Sequence, residues 1–415
     1  IANLTGSSLD DSFAVSGGML SGTADGVANT AAGDTLSGDV DYAITGANSG
    51  DSTAVTVWQG IENLTGTAGA NEFTFATGGS LTGTITGAGG TDEILGSDKV
   101  MAYTIGGGVD DDTDDGTVLV NGQTTTFIDI ANLTGSSLDD SFAVSGGTLS
   151  GAIKGSGGTD EVLGSNQAMI YMITGTDSGT VAVNGVTTTI TDVDNWAGSL
   201  QNDTFTFNGA SGTLSGTIDG VSGTDGILGS AQGMTYAVTT PDAGTVGVNA
   251  VTTTFTAIDN LTGSSVVDSF TFSGTGTLTG SASGLGGADT FAINNATTAV
   301  SLLGGAGDDT FTYGSAGSLT GIINGGGDTD EVLGSDQAMT YIVTGTDSGT
   351  AAVNGVTTTI IDVDDWTGSS VNDTFTFSGA GGTLSGTING VSGTDGILGS
   401  AQGMTYAVTT PDAGT

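Results

Sequence analysis

The chain has 415 residues, 77 of them glycine, with 45 acidic residues against two lysines and no Arg or His, giving a formal charge of −43. Nucleic acids and anionic membrane surfaces are both recognised by clustered Lys and Arg, so this balance excludes them as partners. Cysteine is absent, which excludes disulfides and thiol chemistry, and no apolar run is long enough to insert in a membrane within this segment. Such acidity often marks disorder. Here, however, 36% of residues are hydrophobic and they alternate along the chain, which predicts packed strands.

Repeats organise the sequence from its first residue. Residues 1–18, IANLTGSSLDDSFAVSGG, recur identically at 130–147, and residues 220–245 recur identically at 390–415. The expectation is one continuous repeat array over 1–415, a window from a longer chain, with export signals and anchors outside it. A turn of the form Gly, four variable residues, Asp, any residue, then an apolar residue appears at Gly87–Ile94, Gly155–Val162, Gly220–Ile227, Gly284–Phe291, Gly304–Phe311, Gly325–Val332 and Gly390–Ile397. A variant with Ser for the inner glycines, GSSLDDSF, stands at 6–13 and 135–142, with relatives at 198–205, 263–270 and 368–375. The acidic positions are Asp11, Asp34, Asp92, Asp140, Asp160, Asp203, Asp225, Asp268, Asp289, Asp309, Asp330, Asp373 and Asp395, with Asn71 in the equivalent place once. From Asp268 to Asp330 they are 21, 20 and 21 residues apart. A unit of about 21 residues therefore underlies a long repeat of about 64, in which one unit in three lacks the Asp turn, with extra coils near 284–311.

Between turns the residues alternate. Phe205 with Phe207, Phe270 with Phe272 and Phe375 with Phe377 fall on one face of an extended strand, as do Met234, Tyr236 and Val238. Helical spacing is absent, and frequent Gly, Thr and Ser disfavour helices. The fold class is all-β. Short strands and glycine corners predict a parallel β-solenoid with coils of about 21 residues, stacked at roughly 4.8 Å. Asn-Gly within AVNGVTTT (182–189 and 352–359) and VNGQTTT (120–126) is a hairpin signal, so a tandem array of small antiparallel β domains of about 64 residues is the alternative.

GGAGDDTFT, Gly304 to Thr312, resembles the haemolysin-type calcium-binding nonapeptide (RTX repeat), G-G-x-G-x-D-x-U-x, at every specified position. IENLTGTAGANEFTF at 61–75, with relatives at 1–15, 130–144 and 258–272, is similar to repeats of giant bacterial surface and adhesin-type proteins. The first resemblance implies calcium held at a corner between coils. Its ligands would come from Asp268, Asp289, Asp308, Asp309, Asp328 and Asp330 and from the turn of Gly304, Gly305 and Gly307. Ca²⁺ takes six to eight hard oxygens, which carboxylates and turn carbonyls supply. In the RTX family the nonapeptides run in tandem, whereas here one turn occurs per unit.

Asn3, Asn63, Asn132 and Asn260 of the NLT segments share one repeat position with Asn195 and Asp365, which predicts a side-chain hydrogen-bond ladder rather than glycosylation acceptors. Uronate-modifying enzymes on solenoids use Arg, Lys or His for binding and proton transfer, and this chain has only Lys99 and Lys154, so no enzyme is expected. The expected function is structural: an extracellular or cell-surface filament, adhesin stalk or surface-layer segment rigidified by calcium. Its partners would be copies of itself or the continuing array. The alternatives are a calcium-dependent module binding cell-surface glycans and the non-catalytic part of a polysaccharide-modifying enzyme.

Overall fold

The computed structural model describes residues 2–27, 32–106, 113–164, 166–229, 231–297 and 300–399; residues 400–415 of the repeated C-terminal segment lie outside them. The described residues are all-β, with no helix among them. The chain divides into two units, residues 1–203 with 214–217, and residues 204–213 with 218–415.

In the first unit, strands that follow one another along the chain pass between two sheets dominated by parallel pairs. Leu133 pairs with Ile153 in one sheet, and Phe142 with Val162 in the other, both 20 residues apart. The second unit repeats the scheme. Phe270, Phe291, Phe311 and Val332 lie in register in one sheet, and Ala282, Leu302 and Ile323 in the other, offset by 20 or 21 residues. Two parallel-dominated sheets joined by short turns form an arrangement of the β-solenoid or β-helix type.

Alternation explains what is buried. Every second strand residue faces its counterpart across the two sheets, and of the residues placed on one face from sequence Phe205, Phe207, Phe270, Phe272, Phe375, Tyr236 and Val238 are buried, whereas Phe377 is half-buried. Stacking follows the strand spacing. Phe270–Phe291 and Phe291–Phe311 ring centroids are each 4.8 Å apart, nearly coplanar at 4° and 13°. Burial of each such ring is worth about 2 kcal/mol, and each stacked pair adds about 1 kcal/mol.

The Asn-Gly signal is a hairpin. In the first unit Gly116–Val120 and Gln123–Ile128 are antiparallel, turned by Asn121 (φ 51°) and Gly122 (φ 76°). With Ala102–Ile105 they make a three-stranded meander inside the sheet. Its outer strands pair in parallel, Ala102–Ile105 with Ser141–Val144 and Gln123–Ile128 with Thr84–Thr86. Thr125, in the middle of the TTT run, is buried and donates to the Leu81 carbonyl at 2.7 Å, as Thr188 does to Leu149 at 2.6 Å. Meander and connecting strands total seven, as from Asp41 to Gly96 and from Ala102 to Leu163. An odd number sends the chain out on the opposite sheet, so successive meanders alternate: those at 41–59 and 170–191 share a sheet, and that at 102–128 lies in the other.

This alternation makes a deletion test. Removing Gly284–Leu303 takes out one coil and keeps every later strand in its sheet, so cooperative thermal unfolding followed by circular dichroism should survive. Removing only Gly284–Ile293 moves all later strands to the wrong sheet, and the cooperative transition should be lost.

Candidate functional site

The turn aspartates form ladders at the coil corners. Most are buried, and within a run the Oδ1 of each accepts the backbone N–H of the equivalent residue one coil earlier. In the second unit the amide of Asp268 donates to Asp289 Oδ1 at 2.7 Å, that of Asp289 to Asp309 at 2.8 Å, and that of Asp309 to Asp330 at 2.9 Å. The run starts at the Met234 amide, which donates to Asp268 Oδ1, and ends where the Asp330 amide donates to Asp364 Oδ2 at 3.1 Å. A shorter run in the first unit goes from the Met101 amide through Asp140 and Asp160 to Asp194.

The second carboxylate oxygen separates two kinds of turn. In the Ser variant it is satisfied: Asp268 Oδ2 accepts from the Ser264 amide at 2.6 Å and from Ser264 Oγ at 3.1 Å. In several Gly-variant turns it is buried with no partner, at Asp92, Asp289, Asp309 and Asp330, as it is at Asp34. There it occupies the space a side chain would take on the first glycine of the turn. A Cβ on Gly304 would lie 2.2 Å from Asp309 Oδ2 and 2.5 Å from the carbonyl oxygen of Gly325. Gly284 has the same cradle between Asp289 Oδ2 and the Gly304 carbonyl, and Gly325 between Asp330 Oδ2 and the Asp362 carbonyl. In these three turns the open carboxylate oxygen and a backbone carbonyl oxygen thus converge on one point. Gly304 is required by this close approach, whereas Gly305 (φ 120°) and Gly307 (φ 114°) are required by left-handed backbone.

The candidate ligands therefore divide. Asp268, Asp289, Asp309 and Asp330 are brought into one ladder, but only the last three keep an open oxygen. Asp308 and Asp328 lie exposed outside the corner, where Asp308 Oδ1 accepts the Thr329 amide and Asp328 Oδ2 accepts the Gly307 amide, each at 3.0 Å. Among the described residues no three acidic side chains are placed to share a metal ion, so carbonyls have to supply most of any cation's ligands. Burial raises the carboxyls of Asp289 and Asp330 to about 6 and that of Asp309 to about 7, with the neighbouring rungs and Asp308 adding repulsion at Asp309.

One coil carries a neutral isostere. Asn71 Nδ2 donates to Asp92 Oδ1 at 2.6 Å and, at 3.4 Å, to the Gly87 carbonyl, while Asn71 Oδ1 accepts the Thr67 amide. The Asn ladder expected from the NLT segments is also present: Oδ1 of Asn63, Asn132 and Asn260 accepts the amides of Thr84, Ala152 and Ser281. Sequence reasoning missed the terminal rungs Glu62, Asp194, Asp259 and Asp364, and the corner residues Asp114, Asp242 and Asp347. The corner carboxylates take the amides of Ser150, Thr279 and Ser385. The signal available for the corners was their recurrence in the TDDG, PDAG and TDSG segments of the long repeats. No protein family and no curated protein matches this chain.

Raised carboxyl pKa values set the sign of a pH effect. In the folded state these groups bind protons more tightly than the ordinary value of 3.8, so their stabilising contribution is complete below that value. It is lost as pH rises through about 6 to 7. With chelator present, the melting temperature should fall between mildly acidic and mildly alkaline buffer. Asp309→Asn, which installs the Asn71 arrangement, should raise stability in the alkaline buffer by on the order of 1–3 kcal/mol and flatten the pH profile, read by calorimetry.

Proposed function

We propose that this chain is a structural, extracellular repeat segment: a β-solenoid with a coil of about 21 residues, acting as surface filament, adhesin stalk or surface-layer spacer and rigidified by calcium. The observation that carries this reading is the run Asp289, Asp309 and Asp330, where each coil leaves one buried carboxylate oxygen unpartnered against a carbonyl of the next. A divalent cation supplies the positive charge that the sequence withholds, since only Lys99 and Lys154 balance the acidic residues. Asp289, Asp309 and Asp330 would hold it, with the carbonyls of Gly304, Gly325 and Asp362. Asp268 would not, because Ser264 and the Met234 amide take both its oxygens.

One carboxylate per ion makes a weak site, and weak sites with dissociation constants of roughly 10⁻⁴–10⁻³ M belong to extracellular modules. A spacer role agrees with the same corner and core contacts recurring from coil to coil. Stacked coils share their stability with neighbours, so length can be extended without a new core.

Thermal unfolding in calcium and in chelator tests the metal. Calcium should raise the midpoint, and an unchanged midpoint rejects calcium at this ladder. Negative-stain imaging tests the structural role: long uniform fibres favour a filament and isolated rods a stalk, whereas compact particles reject both.

A further inference from the structure

Two hairpins of this chain have the same sequence from Ala182 to Ile190 and from Ala352 to Ile360, each turning on Asn-Gly. Asn184 and Gly185 (φ 50° and 80°) and Asn354 and Gly355 (φ 53° and 77°) adopt the same turn. Their surroundings differ. Asn354 Nδ2 donates to the Gly317 carbonyl at 3.1 Å, and in the related hairpin Asn121 Nδ2 donates to the Gly79 carbonyl at 2.8 Å. Asn184 is exposed, and its side-chain amide has no hydrogen-bond partner among the described residues. The facing loop is the cause. From Val144 to Leu149 it is one residue shorter than from Phe75 to Leu81 or from Tyr313 to Leu319. The anchor beside it is unchanged, because Thr188 and Thr358 each donate to the leucine that ends their loop at 2.6 Å. The shortened loop instead turns Gly147 onto Gly106, whose Cα would lie 2.4 Å from a Cβ on Gly147.

We propose that Asn184 is a site of spontaneous covalent modification, in which its amide is lost through a cyclic imide formed with Gly185. A free side chain can rotate until Cγ meets the Gly185 nitrogen, a motion that the hydrogen bonds of Asn121 and Asn354 oppose. Gly185 adds no obstruction, since a Cβ there would touch nothing within 4 Å. The Gly185 nitrogen gives its proton to water and attacks Asn184 Cγ. The new C–N bond forms as the bond to the amide nitrogen breaks, and ammonia leaves with the proton. Water then opens the ring at either carbonyl, leaving an aspartyl or an isoaspartyl linkage. One water is consumed, one ammonia is released, and no oxidant is needed. The isoaspartyl product adds a main-chain carbon to a two-residue turn and a carboxylate to the surface, while Thr188 and Ile190 keep the strand anchored.

The chain supplies its own control. Cleavage after aromatic residues puts Asn184 in the peptide Met172–Trp196 and Asn354 in Ile342–Trp366. After incubation of the intact chain in mildly alkaline buffer, peptide mass mapping with isoaspartyl detection should show Asn184 converting several-fold faster than Asn354, and the two rates becoming equal in denaturant. Equal native rates, a faster Asn354, or a difference that persists in denaturant would overturn the proposal. Inserting one glycine between Gly146 and Gly147 should slow Asn184 to the Asn354 rate; a soluble, cooperatively melting variant that still converts fast also overturns it.

Discussion

Parallel stacking at about 4.8 Å sets each residue of this chain against its own counterpart one coil away, and nearly everything else follows from that self-encounter. For aromatics it is favourable: Phe270, Phe291 and Phe311 become a continuous stack. For Asn71 beside Asp92 it is favourable too, since the amide donates to the neighbouring carboxylate. For aspartate it is costly, because like charges meet in a buried place. The chain meets this cost in three ways: Ser264-type turns that donate to the second oxygen, an asparagine at position 71, and turns that leave the oxygen open.

The open turns are where burial and charge come into conflict. A buried, unpartnered carboxylate oxygen beside a carbonyl destabilises the fold in its charged form, and protonation relieves it. Glycine at the first turn position is what permits this arrangement, because any side chain there would displace the carboxylate. The same residue type therefore serves two purposes in one turn, close approach at Gly304 and left-handed backbone at Gly305 and Gly307. In the Ser264-type turns the serine at the next position donates to the second oxygen, whereas Leu285 and Gly305 at that position leave it open.

Much of this was legible in the sequence. The Asp spacing located the interior rungs, strand alternation named most of the buried aromatics, and the shared position of Asn63, Asn132 and Asn260 foretold that their side chains bond to the neighbouring strand. The hairpin was legible as a signal, but its place was not. Asn-Gly specifies a two-residue turn and says nothing about whether the strands it joins stand apart or complete a parallel sheet. Asp268 looked equivalent to Asp289 for the same reason. That Ser264 saturates one and nothing saturates the other depends on where the turn points an N–H and a hydroxyl.

The sequence by itself determined the all-β class, the repeat spacing and the identity of many stacked residues, because these depend on periodicity and on backbone preferences that act locally. Only the tertiary structure decided which carboxylates are left open, which amides begin and end each ladder, and why Asn184 and Asn354, identical in their local sequence, differ in their partners. Those properties belong to neighbours a coil or more away, and a one-residue change in a facing loop is enough to alter them.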